Sequence, residues 1–399
     1  MSTPRVTFKR PKIPTNLRQY GILAALAIII LLFQLLTNGR LLLPGNINNL
    51  IQQNAYVLIL AVGMVIVIIA GHIDLSVGSV VAMVGAISAV AMTQWDLPWF
   101  LAVLVALAVG AAVGAWQGFW IAFVGIPAFI VTLAGMLLFR GLTLVILTGG
   151  TINALPTEFN AIGGGWLPEA FGTIGEGRGS RDILTVVLGV AAAALLIIQQ
   201  LRARRKQRRL ELVTEGAVAF WGKNVAAAAV IVALTWQISA YRGTPVILVI
   251  VAGLILLFTF VLNRTVFGRQ VYAIGGNLFA AQMSGVKTQW INFNIFVIMG
   301  TLAGLAGIVT TARAGGAVAS AGQSFELDAI AAVFIGGAAV TGGVGTVPGA
   351  VIGALIMGVL NMGLSILSVD AAWQQAIKGL VLLLAVAFDV LSKRRGGNR

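Results

Sequence analysis

Twelve apolar runs divide this chain and set the strongest limit on how it can fold. A membrane-spanning helix needs about 20 mostly apolar residues. The runs lie near 20–36, 54–71, 74–93, 99–124, 128–148, 183–200, 225–240, 245–262, 291–312, 327–341, 347–368 and 374–391. Only two residues separate the second run from the third, and 327–341 is short for a bilayer.

Such short or interrupted runs are typical of broken or re-entrant helices, which a bilayer tolerates only where protein or a cavity satisfies their backbone. We therefore predict an all-α fold, a polytopic transmembrane helical bundle of about 10–12 spans that includes broken or re-entrant helices. The predicted transmembrane domain is 20–392, between a basic N-terminal tail at 1–19 and a C-terminal tail at 393–399.

The composition excludes several classes of protein. Of the 399 residues, 59% are hydrophobic and only 10% are charged, whereas about 25% of residues are charged in a typical soluble domain. A soluble enzyme, a nucleic-acid-binding domain and a disordered chain are therefore excluded, and we expect no nucleic-acid partner. The sequence has no Cys and one His, His72. Thiolate chemistry and a His- or Cys-built metal site are excluded too, and we predict no metal and no cofactor.

The basic stretch before the first apolar run could belong to a secretory signal peptide. However, the apolar run is longer than a typical signal-peptide core, and no cleavage site of small residues follows it at 34–38. We interpret the run as a retained first span with its start in the cytoplasm.

The distribution of Lys and Arg predicts the orientation of the spans. With twelve crossings and a cytoplasmic N-terminus, nineteen of the 26 basic residues fall on the cytoplasmic side and five outside, as the positive-inside rule requires. Both termini and the basic cluster at 202–209 are then cytoplasmic, and the Gly-rich loop 149–182 lies outside. The cluster is expected to fix orientation and to contact anionic membrane lipid.

Glycines recur at four-residue spacing in three of the predicted helices. Absent side chains on one helix face let two backbones approach closely, so we predict tight helix packing at these positions. They are Gly110, Gly114 and Gly118; Gly300 and Gly304; and Gly345, Gly349 and Gly353.

The Gly-rich run 336–349 resembles a phosphate-binding loop only superficially. A Walker A loop needs Lys and Ser or Thr after its last Gly, and the sequence has no Lys between Lys287 and Lys378. If transport by this chain uses ATP, another chain must bind the nucleotide.

Charged residues inside apolar runs usually face protein or a water-filled path. The candidates are Asp74, Arg140, Glu326, Asp328, Lys378 and Asp389. We expect the acids at 74, 326 and 328 to cap helix starts. Contact with a transported molecule and ion pairs, within the bundle or with a partner, are the alternatives. Lys378 and Asp389 lie near the ends of the last span and could snorkel.

Five ordered motifs carry a family resemblance. They are GHIDLSVGS at 71–79, PAFIVTLAGM at 127–136 with RG at 140–141, GRQVYAIGGN at 268–277, ELDAIAA at 326–332, and the Gly-rich run 336–349. Over roughly 20–395, the chain resembles permease subunits of bacterial monosaccharide ABC importers of the ribose/xylose type. The resemblance implies a type II ABC-importer-like fold in the bacterial cytoplasmic (inner) membrane.

The segment 183–243 distinguishes subtypes of this family. Ribose-type permeases are shorter here, whereas this chain has two apolar runs around the basic cluster. The extra helix pair looks like the D-xylose permease subtype.

The resemblance also implies partners. These are a second copy of the chain, two ATPase subunits, and a periplasmic or lipid-anchored sugar-binding protein. Within the cytoplasmic loop 263–290, the family places a coupling helix, which we expect Gly285 to end. The coupling residues are Gly275, Gly276, Asn277, Phe279, Ala280, Ala281, Ser284 and Gly285. Phe279 departs from the Glu that many relatives carry, so this chain has no carboxylate for a contact at this position.

The resulting hypothesis is a translocation subunit, not an enzyme, that imports a neutral monosaccharide, D-xylose first, using ATP hydrolysed on separate chains. Candidate residues of the path or its helix breaks are Asp74, Ser76, Ser79, Asn54, Trp116, Gln117, Glu326, Asp328 and Asn361. The alternative is a secondary transporter of a small polar solute driven by an ion gradient, which needs titratable groups or Na⁺ sites at broken helices. A membrane-embedded glycosyl or lipid enzyme is a third option, but the paired acids or metal ligands of such chemistry are missing.

Overall fold

The structure is a computed structural model that describes residues 16–148, 150–175, 180–212 and 216–397, with side chains described from 21 to 387. In these ranges the chain forms sixteen α-helices, one π-helical turn and four very short strands. Most of the predicted N-terminal tail, the last two residues and part of the predicted outer loop 149–182 lie outside the described residues, as does the side chain of Asp389.

The first half of the chain holds seven α-helices. They are α1 (Asn16–Leu36), α2 (Pro44–Gln53), α3 (Ala55–Ile69), α4 (Val77–Thr93), α5 (Trp99–Phe119), α6 (Ala128–Ile146) and α7 (Thr157–Gly164). The π-helical turn Trp120–Val124 extends α5. Polar helix α2 was not predicted, because its apolar residues are too few to form a run.

The second half holds nine more. They are α8 (Ile183–Arg209), α9 (Ala217–Ile238), α10 (Val246–Arg264), α11 (Val266–Gly276), α12 (Leu278–Met283), α13 (Thr288–Ala314), α14 (Phe325–Ile335), α15 (Val347–Ile366) and α16 (Ala371–Gly397). Strand β1 (Thr151–Asn153) pairs antiparallel with β4 (Gly316–Val318), and β2 (Thr173–Ile174) pairs with β3 (Arg181–Asp182).

Within the described ranges, seven helices are long and apolar enough to cross a membrane: α5 with its π-helical turn, α6, α8, α9, α10, α13 and α15. The pair α2 and α3, bent by 44°, makes an eighth, and α1, α4 and α16 carry shorter apolar stretches. The predicted all-α polytopic bundle is confirmed. The total of 10–12 spans stays a prediction, because length and composition identify only seven or eight.

Helix α13 lies at the centre of the bundle and packs against α5, α4 and α3. The α5 contact uses the predicted glycines, because a Cβ atom at Gly110 would lie 2.5 Å from the carbonyl oxygen of Gly300. Close packing is therefore confirmed for this pair. On α15, Gly349 and Gly353 pack against the α14 backbone, but Gly345 precedes that helix and does not share its face.

The connections between the helices meet at two opposite ends of the bundle. At one end, which we call the α12 end, the amide of Gly343 donates to the carbonyl of Ile69 at 2.8 Å, and the Tyr272 hydroxyl donates to the carbonyl of Gly345 at 2.8 Å. At the other, the α7 end, β1 pairs with β4, and Gln52 Nε2 donates to the carbonyl of Gly164 at 3.3 Å. Helices α8 and α9 pack against each other, and the start of α8 and the end of α9 lie at the α7 end.

Candidate functional site

A chain of hydrogen bonds crosses the break between α3 and α4. The Asp74 carboxylate accepts from the amide of Ser76 at 2.8 Å and from its hydroxyl at 2.6 Å. Gln117 Nε2, on α5, donates to the Ser76 hydroxyl oxygen at 2.6 Å. All three side chains are buried. The structure thus brings these three predicted residues together and ties the break to α5.

The contact of Asp74 corrects the predicted helix cap. Its carboxylate binds the amide of Ser76, the residue before the first turn of α4, and α4 has no side-chain cap. The amides that a cap would satisfy lie two or three positions further along. Asp74 instead fixes the turn by which the chain enters α4.

Two further predicted residues lie near this break without joining the chain. Ser79 is buried, and its hydroxyl has no hydrogen-bond partner in the described part of the molecule. Trp116 is exposed on α5, where its ring meets Phe139 edge-on at a centroid distance of 5.8 Å.

A second polar cluster surrounds Asp328. Its carboxylate accepts from the Tyr56 hydroxyl at 2.6 Å, and Lys378 Nζ lies 3.2 Å from each of its oxygens. The Tyr56 ring stacks on Phe325 at a centroid distance of 3.5 Å. The predicted cap at Asp328 is therefore wrong, as is the snorkelling of Lys378. A buried carboxylate needs a charge partner, so these residues form an ion pair that joins α14 to α16.

Asn54 and Asn361 connect α15 to the bend between α2 and α3. Asn361 Nδ2 donates to Asn54 Oδ1 at 3.0 Å, and Asn54 Nδ2 donates to the carbonyl of Leu50 at 2.9 Å. Asn54 is buried. The pair thus holds a bent segment in place.

Helix α14 begins close to mid-height in the bundle. Helices α4 and α13 run parallel, because Val81 packs beside Gly307 and Gly85, one turn further along α4, packs beside Thr311, one turn further along α13. Gly78 lies about 10 Å before Gly85 along α4, which brings it close to the centre of α13, a helix about 40 Å long. The carbonyl of Gly322 occupies the space where a Cβ atom of Gly78 would lie. The residues that start α14 are therefore deep in the bundle, as in a re-entrant helix.

Two charged side chains flank this start. The Arg140 guanidinium, on α6, donates to the carbonyls of Ala319 at 3.0 Å and Ala321 at 2.6 Å. The Glu326 carboxylate lies against Gly78. Like Asp328, Glu326 does not provide the α14 cap, because the N-cap residue is Ser324 and no side chain bonds there. Arg140 holds the 319–321 segment by its backbone.

The predicted coupling loop forms α11 and the short helix α12. Asn277 Oδ1 accepts from the amide of Ala280 at 2.9 Å and so caps α12 at its start. At its end, the amides of Gly285 and Val286 donate to the carbonyls of Gln282 and Ala281, at 2.9 and 3.1 Å. With a φ of +80° at Gly285, this is a Schellman motif. The helix ends at Gly285 as predicted.

The two faces of α12 differ. Ala281 is buried against the bundle, whereas Phe279 is 72% exposed and Met283 is 74% exposed. Residues four apart share a helix face, so these two apolar side chains project together from the α12 end. Ser284 returns its hydroxyl to the carbonyl of Ala280 at 2.8 Å. Of the predicted coupling residues, Phe279 is the one that adds apolar area to this face.

The end of α11, which precedes α12, packs closely against the rest of the α12 end because glycines lie at the points of contact. A Cβ atom at Gly275 would collide with the carbonyl of Ile69, and Gly343 lies against Gly276. The end of α11 thus touches both the end of α3, just before the Asp74 break, and the turn between α14 and α15. A displacement of α11 and α12 would therefore act directly on the break between α3 and α4 and on the turn between α14 and α15.

Sequence reasoning missed Tyr56 and the partner of Asp328. A phenol at the start of an apolar helix was the available signal, since a buried Tyr hydroxyl usually finds a partner. The pairing itself joins residues 272 and 50 positions apart, which no local pattern encodes. Among the described residues, no group of three or more His, Cys, Asp or Glu could hold a metal ion.

Comparison with known proteins identifies the family. The family profile described as "Branched-chain amino acid transport system / permease component" matches residues 46–386, most of the chain. The chain belongs to this permease family. It is therefore a multi-pass membrane protein of a transport family.

Several relatives of this permease resemble it over almost their whole length. The xylose transport system permease protein XylH of Escherichia coli K12 is 40% identical over 95% of this chain and 93% of its own. The Haemophilus influenzae protein of the same name is 39% identical over 95% and 98%. The ribose import permease protein RbsC of E. coli K12 is 34% identical over 98% and 99%. No solved structure matches this chain.

Proposed function

We propose that this permease is the translocation subunit of an ATP-driven importer and that its cargo is a neutral monosaccharide, with D-xylose as the first candidate. The observation that carries the proposal is the 40% identity to a xylose permease across nearly the entire length of both chains. Identity of this extent covers the helix breaks, the extra helix pair and the α12 end together.

The chemistry of the interior supports a neutral cargo. Asp328 is paired with Lys378, Asp74 is satisfied by Ser76, and Arg140 is satisfied by backbone carbonyls. These three charges are compensated within the chain, which favours a neutral cargo over an ion. The alternative, a secondary transporter driven by an ion gradient, needs a titratable group or a Na⁺ site at a broken helix, and Glu326, whose carboxylate lies against Gly78 at the start of α14, is the group that would have to serve.

If ATP is hydrolysed on separate subunits, the energy must be transmitted to this chain through a surface that contacts them. We propose that the α12 end faces the cytoplasm and that two ATPase subunits, one per copy of a permease dimer, each receive one α12 helix. Phe279 and Met283 would enter an apolar groove of the ATPase, in place of the carboxylate contact of many relatives. Movement of α12 would pass to α11, and from Gly275 and Gly276 to both helix breaks.

The α7 end would then face outward and receive a sugar-binding protein. The segment 150–175, with α7 and β1, covers this end. Its exposed acidic residues, Glu158 and Glu169, offer charge for such a contact. Basic residues of α8 near 202–209 lie at the far end of a helix about 40 Å long, where they would meet anionic lipid.

Uptake of labelled D-xylose by cells that express the complete importer tests the cargo. We expect uptake that unlabelled D-xylose abolishes, D-ribose reduces less, and L-leucine leaves unchanged. L-leucine is included because the family description names branched-chain amino acids. Competition by L-leucine but not by the sugars would overturn the proposed cargo.

A double substitution, Phe279→Ser with Met283→Ser, tests coupling. We expect normal insertion of the permease with loss of ATPase co-purification and of sugar-stimulated ATP hydrolysis. Val218→Ser is the control, because Val218 is also strongly exposed and begins α9. Gly285→Trp is a less direct test, since its left-handed backbone favours glycine. Full co-purification of the ATPase with the double variant would exclude this surface.

A further inference from the structure

A cavity of about 230 Å³ lies between the outer part of α13 and the segment that leads into α14. It extends from Ala314 and Gly316, at the α7 end, to Phe325, at the start of α14. One water molecule needs only about 10–15 Å³ of such space. The cavity therefore has room for a small solute.

The lining has the chemistry that a sugar requires. Thr310, Ser320 and Gln323 contribute two hydroxyls and an amide, and Phe325 contributes an aromatic ring. Among the described residues that line the cavity, none carries a charge. The Thr310 hydroxyl is buried and has no hydrogen-bond partner in the described chain. A neutral molecule with many hydroxyl groups can satisfy such donors and acceptors and can place its C–H face on the ring.

The depth of the cavity indicates what its open side faces. Its lower wall, at Gly322, lies against Gly78 near the middle of α13, yet Ser320 and Gln323 are exposed on the surface of the single chain. Polar side chains at this depth face water or protein rather than lipid. The open side therefore faces water or protein, as it would in a path that a second copy of the chain encloses.

The segment 319–325, which forms one wall of the cavity, is held in place by its neighbours. Arg140 donates to the carbonyls on either side of Ser320, those of Ala319 and Ala321. The Phe325 ring is stacked on Tyr56, whose hydroxyl is fixed by Asp328. Residues so positioned can present the cavity in one defined shape, which selective binding requires.

We propose that Ser320, Gln323 and Phe325, with Thr310 behind them, form a binding subsite for the transported monosaccharide in the outer half of the path. The proposal rests on the proposed function and adds the residues that contact the cargo. None of the four is among the sequence-predicted path residues. Ser320, Gln323 and Phe325 lie in a stretch between two apolar runs that is typical of a connecting loop, and Thr310 lies within the apolar run 291–312.

The natural absence of Cys permits a direct test. Gln323→Cys and Ser320→Cys are made in the full chain, and each variant is assembled in nanodiscs with its ATPase subunits but without the binding protein, which would cover the α7 end. The rate of modification by a charged methanethiosulfonate reagent is measured with and without saturating D-xylose. Leu256→Cys is the control for lipid exposure, since Leu256 is exposed near the middle of α10. Thr157→Cys is the control for the exposed α7 end.

We expect both variants to react at least tenfold faster than Leu256→Cys and to be slowed at least threefold by D-xylose, whereas Thr157→Cys reacts equally with and without sugar. Reaction no faster than at Leu256→Cys would exclude a water-filled path at this face. Fast reaction without protection would exclude the subsite.

Sugar import by the complete unmodified importer, measured in parallel, separates the two proposals. Import without protection overturns only the subsite, and absence of import for every monosaccharide overturns the proposed function itself. As a second readout, Gln323→Ala should reduce import at least fivefold, and Gln323→Asn, which keeps an amide, should recover part of it. Equal import by the two variants would contradict a role for the amide.

Discussion

The ammonium nitrogen of Lys378 lies 3.2 Å from each carboxylate oxygen of Asp328, and this ion pair connects the re-entrant helix α14 to α16. Asp328 is 2% exposed and Lys378 is 21% exposed. Removing one partner of a buried pair strands the other charge, which costs far more than the pair contributes.

Asp328→Asn should therefore destabilise the permease by about 3 kcal/mol, at the lower end for a buried pair because Lys378 retains some solvent. The double variant Asp328→Asn with Lys378→Met should recover most of that loss, since no charge is left unpaired. Thermal unfolding in detergent, followed by tryptophan fluorescence, measures both. A double variant as unstable as Asp328→Asn alone would mean that the two charges are not coupled.

Contact between α5 and α13 depends on the absence of a side chain at Gly110. A methyl group there would lie 2.5 Å from the Gly300 carbonyl oxygen, so Gly110→Ala should cost about 1–3 kcal/mol through overpacking. Gly253→Ala is the matched control, because nothing lies within 4 Å of the added Cβ atom on α10. The yield of folded protein in size-exclusion chromatography should fall for Gly110→Ala alone. Equal yields would contradict the close approach.

Asp74 provides a test of the rival mechanism. Asp74→Asn keeps the oxygen that accepts from Ser76, so import should remain at half the wild-type rate or more. Asp74→Leu leaves two buried donors unsatisfied, at a cost of about 1–3 kcal/mol for each, and should reduce the amount of folded protein. Loss of import by Asp74→Asn at unchanged protein amount would assign a function to the charge and favour ion coupling.

The predicted sidedness can be tested across a single helix. Glu169 precedes α8 at the α7 end, and Arg208 lies in the last turn of α8. A membrane-impermeant maleimide should label Glu169→Cys in intact spheroplasts and Arg208→Cys only after permeabilisation. Labelling in the opposite pattern would invert the topology and would place α12 on the wrong side for an ATPase.

The apolar helices could be predicted from the sequence because a bilayer imposes a simple requirement on each span. About 20 apolar residues are needed to cross, and each of the twelve apolar runs falls on a helix. Helix α14 is the informative exception in length. Its run continues to 341, but the helix ends at Ile335, because glycines at 336 and 337 begin a turn that packs on α15 and α11.

The polar sites were less predictable, because their partners are distant in the sequence. The pattern around Asp74 located a break correctly, but it could not reveal that Gln117 completes the hydrogen-bond chain. Likewise, an acid at the start of α14 fits a cap as well as an ion pair, and only the position of α16 decides between them. Glycine spacing identified the faces that meet on α5 and α13 without identifying which helix meets which.

The central claim, that ATP hydrolysed by separate subunits drives a sugar through this chain, is tested most directly by reconstituted transport. The permease, its ATPase and its binding protein are placed in proteoliposomes, and uptake of labelled D-xylose is measured with ATP, without ATP, and with ionophores that collapse Na⁺ and proton gradients. The account predicts uptake that requires ATP and both partners and that is unchanged by the ionophores. Uptake by the permease alone, abolished by an ionophore and indifferent to ATP, would contradict it.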